Sequence, residues 1–318
     1  MKILTKEVKT RIKRAIAFNS LKFFGAIIRV LPKPAVYALA ASAAKVGFFI
    51  AVRHRRTAYE SLNIAFGNKK NKQEITKIIK DCFVGMAKGI LEMLAFFSKP
   101  QLLDKMVSVE GRDNLDEALS KGKGVIMVSG HFGNFPLLLT KLVILGYKVN
   151  LVLRRMRDGR ADEYFNKRRS IVGIKSIYTQ PRTECVKNII TALRNNEIVF
   201  MLMDQNFGSG AGVFVDFFGR KAATATGPVV FALRTDAEIV PAFIFRKADN
   251  MHQLTIEPRI VLGTQADADK DKIIFDNVAK ITGIIERYVR AHPAEWGWIH
   301  RRWKSQPNPA SLGHPDTL

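Results

Sequence analysis

The spacing of apolar residues along the chain changes near Val107. Between Glu74 and Phe97, apolar side chains recur at helical spacing, which predicts a long helix that buries one face. From Val107 onward, short apolar runs typical of strands alternate with segments of helical spacing. This alternation predicts an α/β fold in which helices flank a mostly parallel central sheet.

The apolar runs after residue 107 define the individual predicted elements. The predicted strands span 107–109, 124–128, 149–153, 176–178, 198–203, 239–245 and 252–257. The predicted helices span 114–120, 137–145, 161–171, 183–194, 227–234 and 273–291. In folds of this kind the carboxyl ends of the parallel strands meet at one edge of the sheet, where ligands bind. We therefore expect residues 129–131, 154 and 204 to lie near one another.

Two apolar stretches, Ala15 to Leu31 and Ala35 to Val52, occupy the N-terminal region, with basic residues before, within and after them. Neither has the ~20 uninterrupted apolar residues of a spanning helix, and internal charges in the first stretch fit a cleaved signal peptide poorly. We expect residues 1–52 to associate with a membrane, as helices lying in the interface or as one marginal spanning helix. The alternative is an ordinary pair of amphipathic helices packed on a globular domain. In either case we expect residues 53–305 to form the main domain and residues 306–318 a loose tail.

The chain is strongly basic, because 51 Lys and Arg residues against 28 Asp and Glu residues give a net charge of +23. This excess predicts an anionic partner, which could be nucleic acid, an anionic lipid surface or an acidic substrate. The basic residues concentrate beside apolar helices, without zinc-ligand spacing or an RNA-binding aromatic pattern, which argues against nucleic acid. The two cysteines, Cys82 and Cys185, indicate neither a disulfide framework nor a metal site.

A histidine follows the predicted strand at 124–128, within the run Ser129 to Asn134. The imidazole of His131 has an ordinary pKa of ~6.5 and can accept a proton near neutral pH. Two neighbouring glycines allow close backbone approach, and the Asn134 amide can donate or accept hydrogen bonds locally. A histidine in this position can also be purely structural.

Two further groups of polar residues follow predicted strands. The basic group consists of Arg154, Arg155, Arg157, Arg160, Lys167, Arg168 and Arg169, and arginines suit phosphate or carboxylate groups. The other group begins with Asp204 and Gln205, and a Phe-rich segment, Gly212 to Gly219, follows it. The purely structural alternatives are a solvated helix face for the arginines, a helix cap or turn for Asp204, and core packing for the phenylalanines.

Together and in this order, these segments resemble the bacterial lipid A biosynthesis (late) acyltransferases, relatives of the lysophospholipid and glycerolipid acyltransferases. The resemblance covers roughly residues 20 to 305, and the combination is more specific than any single piece. The matching pieces are Arg55 to Asn63, Ser129 to Asn134, Arg154, Asp204-Gln205, Phe217 to Gly219, Ala223 to Pro228 and Trp296 to Trp303.

The resemblance implies a glycerolipid-acyltransferase-like fold and an O-acyltransferase at the cytoplasmic face of the bacterial inner membrane. Such enzymes move an acyl chain from a thioester, usually on acyl carrier protein and alternatively on coenzyme A, to a hydroxyl of an anionic glycolipid such as a lipid A precursor. The thioester is a co-substrate, so no cofactor or metal is expected. His131 would be the general base, and Arg168 would stabilise developing negative charge.

The chain departs from the family's pattern at Pro136, where the resemblance implies a carboxylate that orients the imidazole. Asp204 is the first candidate to replace this carboxylate and Asp216 the second. Asn134 or a backbone carbonyl could instead hold the imidazole, or the protein could be a catalytically impaired relative that binds lipid. The residues expected to bind substrate are Arg154, Arg169, Gln205, Asp216, Phe217 and Phe218.

Overall fold

Helices make up the first part of the chain in the computed structural model, which describes residues 6–67, 69–97, 99–208, 212–263 and 269–307. These helices are α1 (Lys6–Val30), α2 (Lys33–Ile50), α3 (Val52–Phe66), α4 (Lys72–Phe96) and α5 (Pro100–Met106). Asn71 caps α4: its side chain accepts from the backbone N–H of Gln73 and Glu74, while the Glu74 carboxylate accepts from the Asn71 N–H. Residues 1–5 and most of the predicted tail, 308–318, lie outside the described residues.

The remaining helices alternate with strands, as the sequence predicts. The helices are α6 (Arg112–Ser120), α7 (Phe135–Ile144), α8 (Gly159–Val172), α9 (Arg182–Arg194), α10 (Gly227–Thr235) and α11 (Lys270–Ala291), and a 3-10 turn covers Pro293–Glu295. The strands are β1 (Val107–Glu110), β2 (Val125–Ser129), β3 (Val149–Leu153), β4 (Ile174–Tyr178), β5 (Ile198–Leu202), β6 (Gly212–Phe217), β7 (Arg220–Ala225), β8 (Glu238–Arg246) and β9 (His252–Ile256).

A seven-stranded sheet with the order β1-β9-β8-β2-β5-β3-β4 forms the centre of the fold. Its strands pair in parallel except for β8 with β9, so β1 and β9 run opposite to the other five. Side chains alternate between two cores: Ile126 and Val128 of β2 pack on one face of the sheet, Val125 and Met127 on the other. The predicted mostly parallel α/β fold is confirmed.

The hairpin of β6 and β7 is an element that the sequence interpretation missed. Its two strands pair antiparallel, apart from the main sheet. Phe218 and Gly219 form the turn, and both have positive φ, 56° and 73°. Such two-residue turns are recognised in sequence by Asn-Gly or Asp-Gly, so a Phe at the first position hides the hairpin inside an apolar run.

The N-terminal helices leave a large apolar surface uncovered. Helices α1 and α2 pack on α4, while their outer faces expose Ile16, Phe23, Phe24, Val30, Val46, Phe49 and Ile50. Within the described ranges, no single helix is long and apolar enough to cross a membrane; α2 and α3 reach that length and composition only as a pair bent by 87°. The predicted membrane association of residues 1–52 therefore stays a prediction.

Candidate active site

The alignment of two neighbouring strands places His131 beside Asp204. Strands β2 and β5 pair in parallel, and their last pair is Ser129 with Leu202. His131 and Asp204 each come two positions after this pair. The imidazole Nδ1 of His131 lies 2.8 Å from Asp204 Oδ1, and the His131 backbone N–H donates to Oδ2 at 2.7 Å. The edge of the sheet thus joins an imidazole and a carboxylate in a dyad.

The Asp204 carboxylate is sealed from solvent by the C-terminal segment. The indole Nε1 of Trp296 donates to Asp204 Oδ2 at 2.7 Å, and the Gly297 N–H donates to the His131 carbonyl at 3.1 Å. A Cβ at position 130 would lie 3.2 Å from the Asp204 carboxylate group, so Gly130 lets the loop approach it closely. Asp204 therefore has three donors around it.

Burial and the dyad contact act against each other on both pKa values. Burial alone would raise the pKa of Asp204, but His131 and the surrounding hydrogen bonds hold this pKa at about 2. Burial alone would lower the pKa of His131, but the charge and hydrogen bond of Asp204 outweigh it and raise the pKa above 6.5. The pair stabilises an imidazolium more than water does.

The second nitrogen of the imidazole faces a more open environment. The His131 side chain is 29% exposed, against 1% for Asp204. The Gln205 amide nitrogen lies 3.0 Å from His131 Nε2 and 3.2 Å from Nε2 of His300. Because the amide donates, His131 Nε2 accepts, which corresponds to the tautomer whose Nδ1–H donates to Asp204. Nε2, which carries the free lone pair of the imidazole, is therefore the basic atom of the site.

A buried arginine holds the segment that carries Gln205. Arg302 donates to the carbonyl oxygens of Gln205 and Ala223, and to the hydroxyl of Thr224. Burial lowers its pKa to about 10. Trp296, His300 and Arg302 all lie in the Trp296 to Trp303 piece of the resemblance, but their contacts could not be inferred from the sequence.

Pro136, which stands at the position of the expected carboxylate, lies in the first turn of α7. A proline is favourable there because the first N–H groups of a helix have no partner within it. The amide of Asn134 donates to Glu92 Oε2 at 2.9 Å instead of contacting the imidazole. Of the candidates to hold His131, only Asp204 has its side chain in contact with the ring in the described part of the chain.

Glu92 is the centre of a second buried polar group, which the sequence interpretation missed. Arg246 donates two hydrogen bonds to its carboxylate, and Tyr37 and Asn134 donate one each, at 2.8 and 2.9 Å. His252 Nε2 lies 3.3 Å away. The one available signal was a glutamate in a largely apolar helix, since its partners come from four other parts of the chain.

The arginines predicted to bind substrate or stabilise charge lie in two separate regions of the structure. Arg154 follows β3 at the same edge as His131, is exposed, and forms no hydrogen bond or ion pair with another described residue. Arg168 and Arg169 lie in the second half of α8, which runs back along the sheet to the opposite edge. Arg169 Nε donates to Ser176 Oγ at 2.9 Å, and Arg168 lies over the ring of Tyr164. The predicted role of Arg168 at the reacting carbonyl does not fit this position.

The hairpin residues also differ from the expected substrate lining. Asp216 is exposed and pairs with Lys221 at 3.1 Å, so it does not reach His131. Phe217 and Phe218 are buried in an aromatic cluster with Trp296, Trp298 and Trp303. They pack behind the tryptophan that binds Asp204, which makes them part of the support of the dyad.

An aromatic ring lies next to the imidazole, and the site contains no cluster of metal ligands among the described residues. The ring of Phe135 lies 5.7 Å from the His131 ring and gives the imidazole an apolar neighbour. Across the described residues, no group of three or more His, Cys, Asp or Glu side chains is placed to hold a metal ion. An imidazole held by a buried carboxylate is an arrangement that can take up and release a proton.

Comparison with known proteins gives a consistent result over nearly the whole length. The model of the bacterial lipid A biosynthesis acyltransferase family matches residues 5–305. A lipid A biosynthesis lauroyltransferase of Escherichia coli (strain K12) is 24% identical over 280 residues, 87% of this chain and 88% of that protein. A lipid A biosynthesis palmitoleoyltransferase of the same organism is 26% identical, over 80% of each chain.

A third relative, matched over a shorter part of the chain, carries a different name. A phosphatidylinositol mannoside acyltransferase of Mycobacterium tuberculosis (strain ATCC 25618 / H37Rv) is 24% identical over 205 residues, 63% of this chain and 60% of that protein. The names of all three relatives describe acyl transfer, in agreement with the family model, and the chain is an O-acyltransferase. The chain belongs to the bacterial lipid A biosynthesis acyltransferase family.

Proposed function

We propose that this protein transfers a fatty acyl chain from a thioester to a hydroxyl of a lipid A precursor or a related glycolipid, with His131 as general base. The observation that carries the proposal is the dyad: Asp204 holds Nδ1 at 2.8 Å, while Nε2 of the partly exposed imidazole faces the exposed side chain of Gln205. An oriented base with one buried and one open nitrogen is what deprotonation of a hydroxyl requires.

In the proposed reaction, His131 alone carries the proton from the acceptor hydroxyl to the leaving thiolate. The acceptor hydroxyl gives its proton to Nε2 as its oxygen attacks the thioester carbonyl, forming a tetrahedral intermediate. When the intermediate collapses, the carbon–sulfur bond breaks and the imidazolium returns the proton to the thiolate. The Asp204 carboxylate stabilises the imidazolium between these steps. No covalent acyl-enzyme is needed.

The donor and the acceptor both carry negative charge in this proposal. The net charge of +23 suits an acidic acyl carrier protein, with coenzyme A thioesters as the alternative donor. Arg154, exposed at the same edge of the sheet as the dyad, is the candidate to bind phosphate of the acceptor or of the donor's phosphopantetheine arm. Gln205 is the candidate to orient the acceptor hydroxyl at Nε2, since its amide already lies there.

The direct test is an acyl-transfer assay with labelled acyl carrier protein and lipid acceptor, comparing wild-type protein with His131→Ala. We expect loss of product from a variant that still unfolds cooperatively, at a somewhat lower temperature because the buried Asp204 carboxylate loses one donor. A catalytically impaired relative, the alternative raised by Pro136, would give no His131-dependent product with either thioester donor and any acceptor tried. That result would reject the enzymatic proposal.

We also propose that α1 and α2 hold the protein on the cytoplasmic face of the inner membrane. The support is their exposed apolar surface, which includes Phe23 (64% exposed) and Phe24 (56%), among basic side chains. The doubly substituted Phe23→Asp/Phe24→Asp protein should float poorly with vesicles. Val261→Asp, at an equally exposed apolar residue outside these helices (61%), is the control and should float like wild type.

A further inference from the structure

A cavity of about 370 Å³ lies where the ends of α1 and α4 meet the second half of α8. It is lined by Arg29, Phe97, Tyr164, Lys167, Arg168, Ile171 and Val172. Helix α8 begins after the carboxyl end of β3 and ends where β4 starts, so this cavity lies toward the opposite edge of the sheet from His131. The two sites are separated by roughly the length of a five-residue strand, ~16 Å.

Three cations surround the cavity without an anion to neutralise them. Arg29, Lys167 and Arg168 form no salt bridge with any residue of the described ranges. The Nε–H of Arg29 is buried and has no hydrogen-bond partner, and its Nη2 is only 3.5 Å from the Tyr164 hydroxyl. Leaving a buried donor unsatisfied costs about 1–3 kcal/mol. An anion in the cavity would accept from this donor and neutralise charge.

The cavity is also apolar and opens onto an apolar surface. Phe97, Ile171 and Val172 supply its walls. Ile171 is 70% exposed, and Val30, next to Arg29 at the end of α1, is 82% exposed. A small inorganic anion would use the cations but leave these walls unused. A molecule with a phosphate and an attached hydrocarbon chain satisfies both features.

We propose that this cavity binds the phosphate and the first part of an acyl chain of an anionic phospholipid that is not a reactant. A phosphate held ~16 Å from His131 is remote from the reacting atoms, which must approach to about 3–3.5 Å, so we assign the cavity to a non-reacting lipid, and the turnover of the cavity variant tests this assignment. The bound lipid bridges the end of α1 to α8 and keeps the protein against the membrane. The proposal rests on the proposed membrane association of α1 and α2.

The test uses the double variant Arg29→Gln/Lys167→Gln, with Arg182→Gln/Lys187→Gln as its matched control. The control removes one Arg and one Lys from exposed positions of α9, whose buried residues belong to the core on the other face of the sheet. Binding of the untruncated 318-residue chain is measured on vesicles of phosphatidylcholine alone and with added phosphatidylglycerol. Phosphatidylglycerol should increase the binding of wild-type protein to vesicles. We expect this increase to be at least about fivefold smaller in the cavity variant and less than about twofold smaller in the control.

The vesicle outcomes separate this proposal from membrane association itself. If wild-type protein binds phosphatidylglycerol vesicles and the cavity variant binds them equally well, the cavity proposal is overturned and membrane association stands. If wild-type protein binds neither kind of vesicle, both are overturned. Acyl transfer by the cavity variant in detergent should equal that of wild type, and a drop in turnover would place the cavity in the reaction instead.

A second measurement distinguishes a lipid from free phosphate. Short-chain phosphatidylglycerol below its micelle concentration should raise the unfolding temperature of wild-type protein but not of the cavity variant, since a ligand stabilises the state that binds it. Inorganic phosphate at the same concentration should raise it much less. Equal stabilisation by the two, or equal stabilisation of both proteins, would contradict a lipid site.

Discussion

Asp204 and Glu92 are both buried carboxylates that contact a histidine, yet the pKa of the histidine is raised in the first pair and lowered in the second. Glu92 and His252 are 2% and 1% exposed, and Arg246 already neutralises the carboxylate. Burial, with a smaller contribution from the charges of Arg246 and Lys33, lowers the pKa of His252 by more than the hydrogen bond and charge of Glu92 raise it. Asp204 binds no arginine or lysine among the described residues, so its charge acts on His131 and raises that pKa.

The difference teaches what makes a buried acid–histidine contact chemically useful. In the Glu92 group, burial alone would raise the pKa of the acid, but hydrogen bonds from Arg246 and His252 hold it well below its usual range. That group is a closed ion pair that ties α2, α4, α7 and the sheet together. Among the described residues, Asp204 pairs with no cation other than the imidazolium, whose other nitrogen faces the exposed side chain of Gln205. We expect the first group to control stability and the second to control turnover.

The largest expected effect is on turnover in Asp204→Asn. An amide keeps the shape but cannot stabilise the imidazolium, and it favours the wrong tautomer, so we expect acyl transfer to fall by about 10²–10⁴-fold. The unfolding temperature should change little by comparison. Asp216→Asn is the matched control, because Asp216 is exposed and paired with Lys221. Full activity in Asp204→Asn would show that the dyad is structural, as in the Glu92 group.

Glu92→Gln should have the complementary effect. It leaves the Arg246 guanidinium buried without its partner charge, which costs about 3–5 kcal/mol of unfolding free energy. Denaturant unfolding in detergent measures this loss. Glu60→Gln, which breaks an exposed pair with Arg56, should cost no more than about 0.5 kcal/mol. If Glu92→Gln instead lowered turnover per folded molecule as strongly as Asp204→Asn, the division between the two groups would be lost.

Tyr37→Phe offers a smaller change in the same group. It removes the hydroxyl that donates to Glu92 Oε1 at 2.8 Å and keeps the ring. We expect a loss of about 1.5–3 kcal/mol, the range for a hydrogen bond to a charged group. The same unfolding assay measures it, and turnover of the folded protein should not change. A loss as large as that of Glu92→Gln would mean that Tyr37, rather than Arg246, controls the group.

The sequence was sufficient for the parts of the site that depend on neighbouring strands. The ends of two predicted strands placed His131 and Asp204 at one edge, and parallel pairing in register then brought their side chains together. It also located Arg168 and Arg169 on the correct helix. Because that helix returns to the opposite edge, its C-terminal residues are carried away from the site, which helix direction alone could have indicated.

Other parts depend on contacts between distant segments and had no local signal. The partners of Glu92 lie in α2, in the loop before α7, and in β8 and β9, so only the folded chain brings them together. The same is true of Trp296, which reaches Asp204 across 92 positions of sequence. Pro136 raised the correct question, namely what else holds the imidazole, but could not show that Asp204 lies at hydrogen-bond distance.

The pH dependence of kcat/KM in wild type and Asp204→Asn tests the central claim most directly. A base must be neutral to accept a proton, so activity in wild type should rise with pH through a pKa above 6.5. In Asp204→Asn the attraction is gone while burial, which lowers the pKa, remains, so the residual activity should rise at a lower pH. Tyr37→Phe should leave the wild-type curve unchanged. An identical acid limb in wild type and Asp204→Asn would contradict the claim that Asp204 sets the basicity of His131.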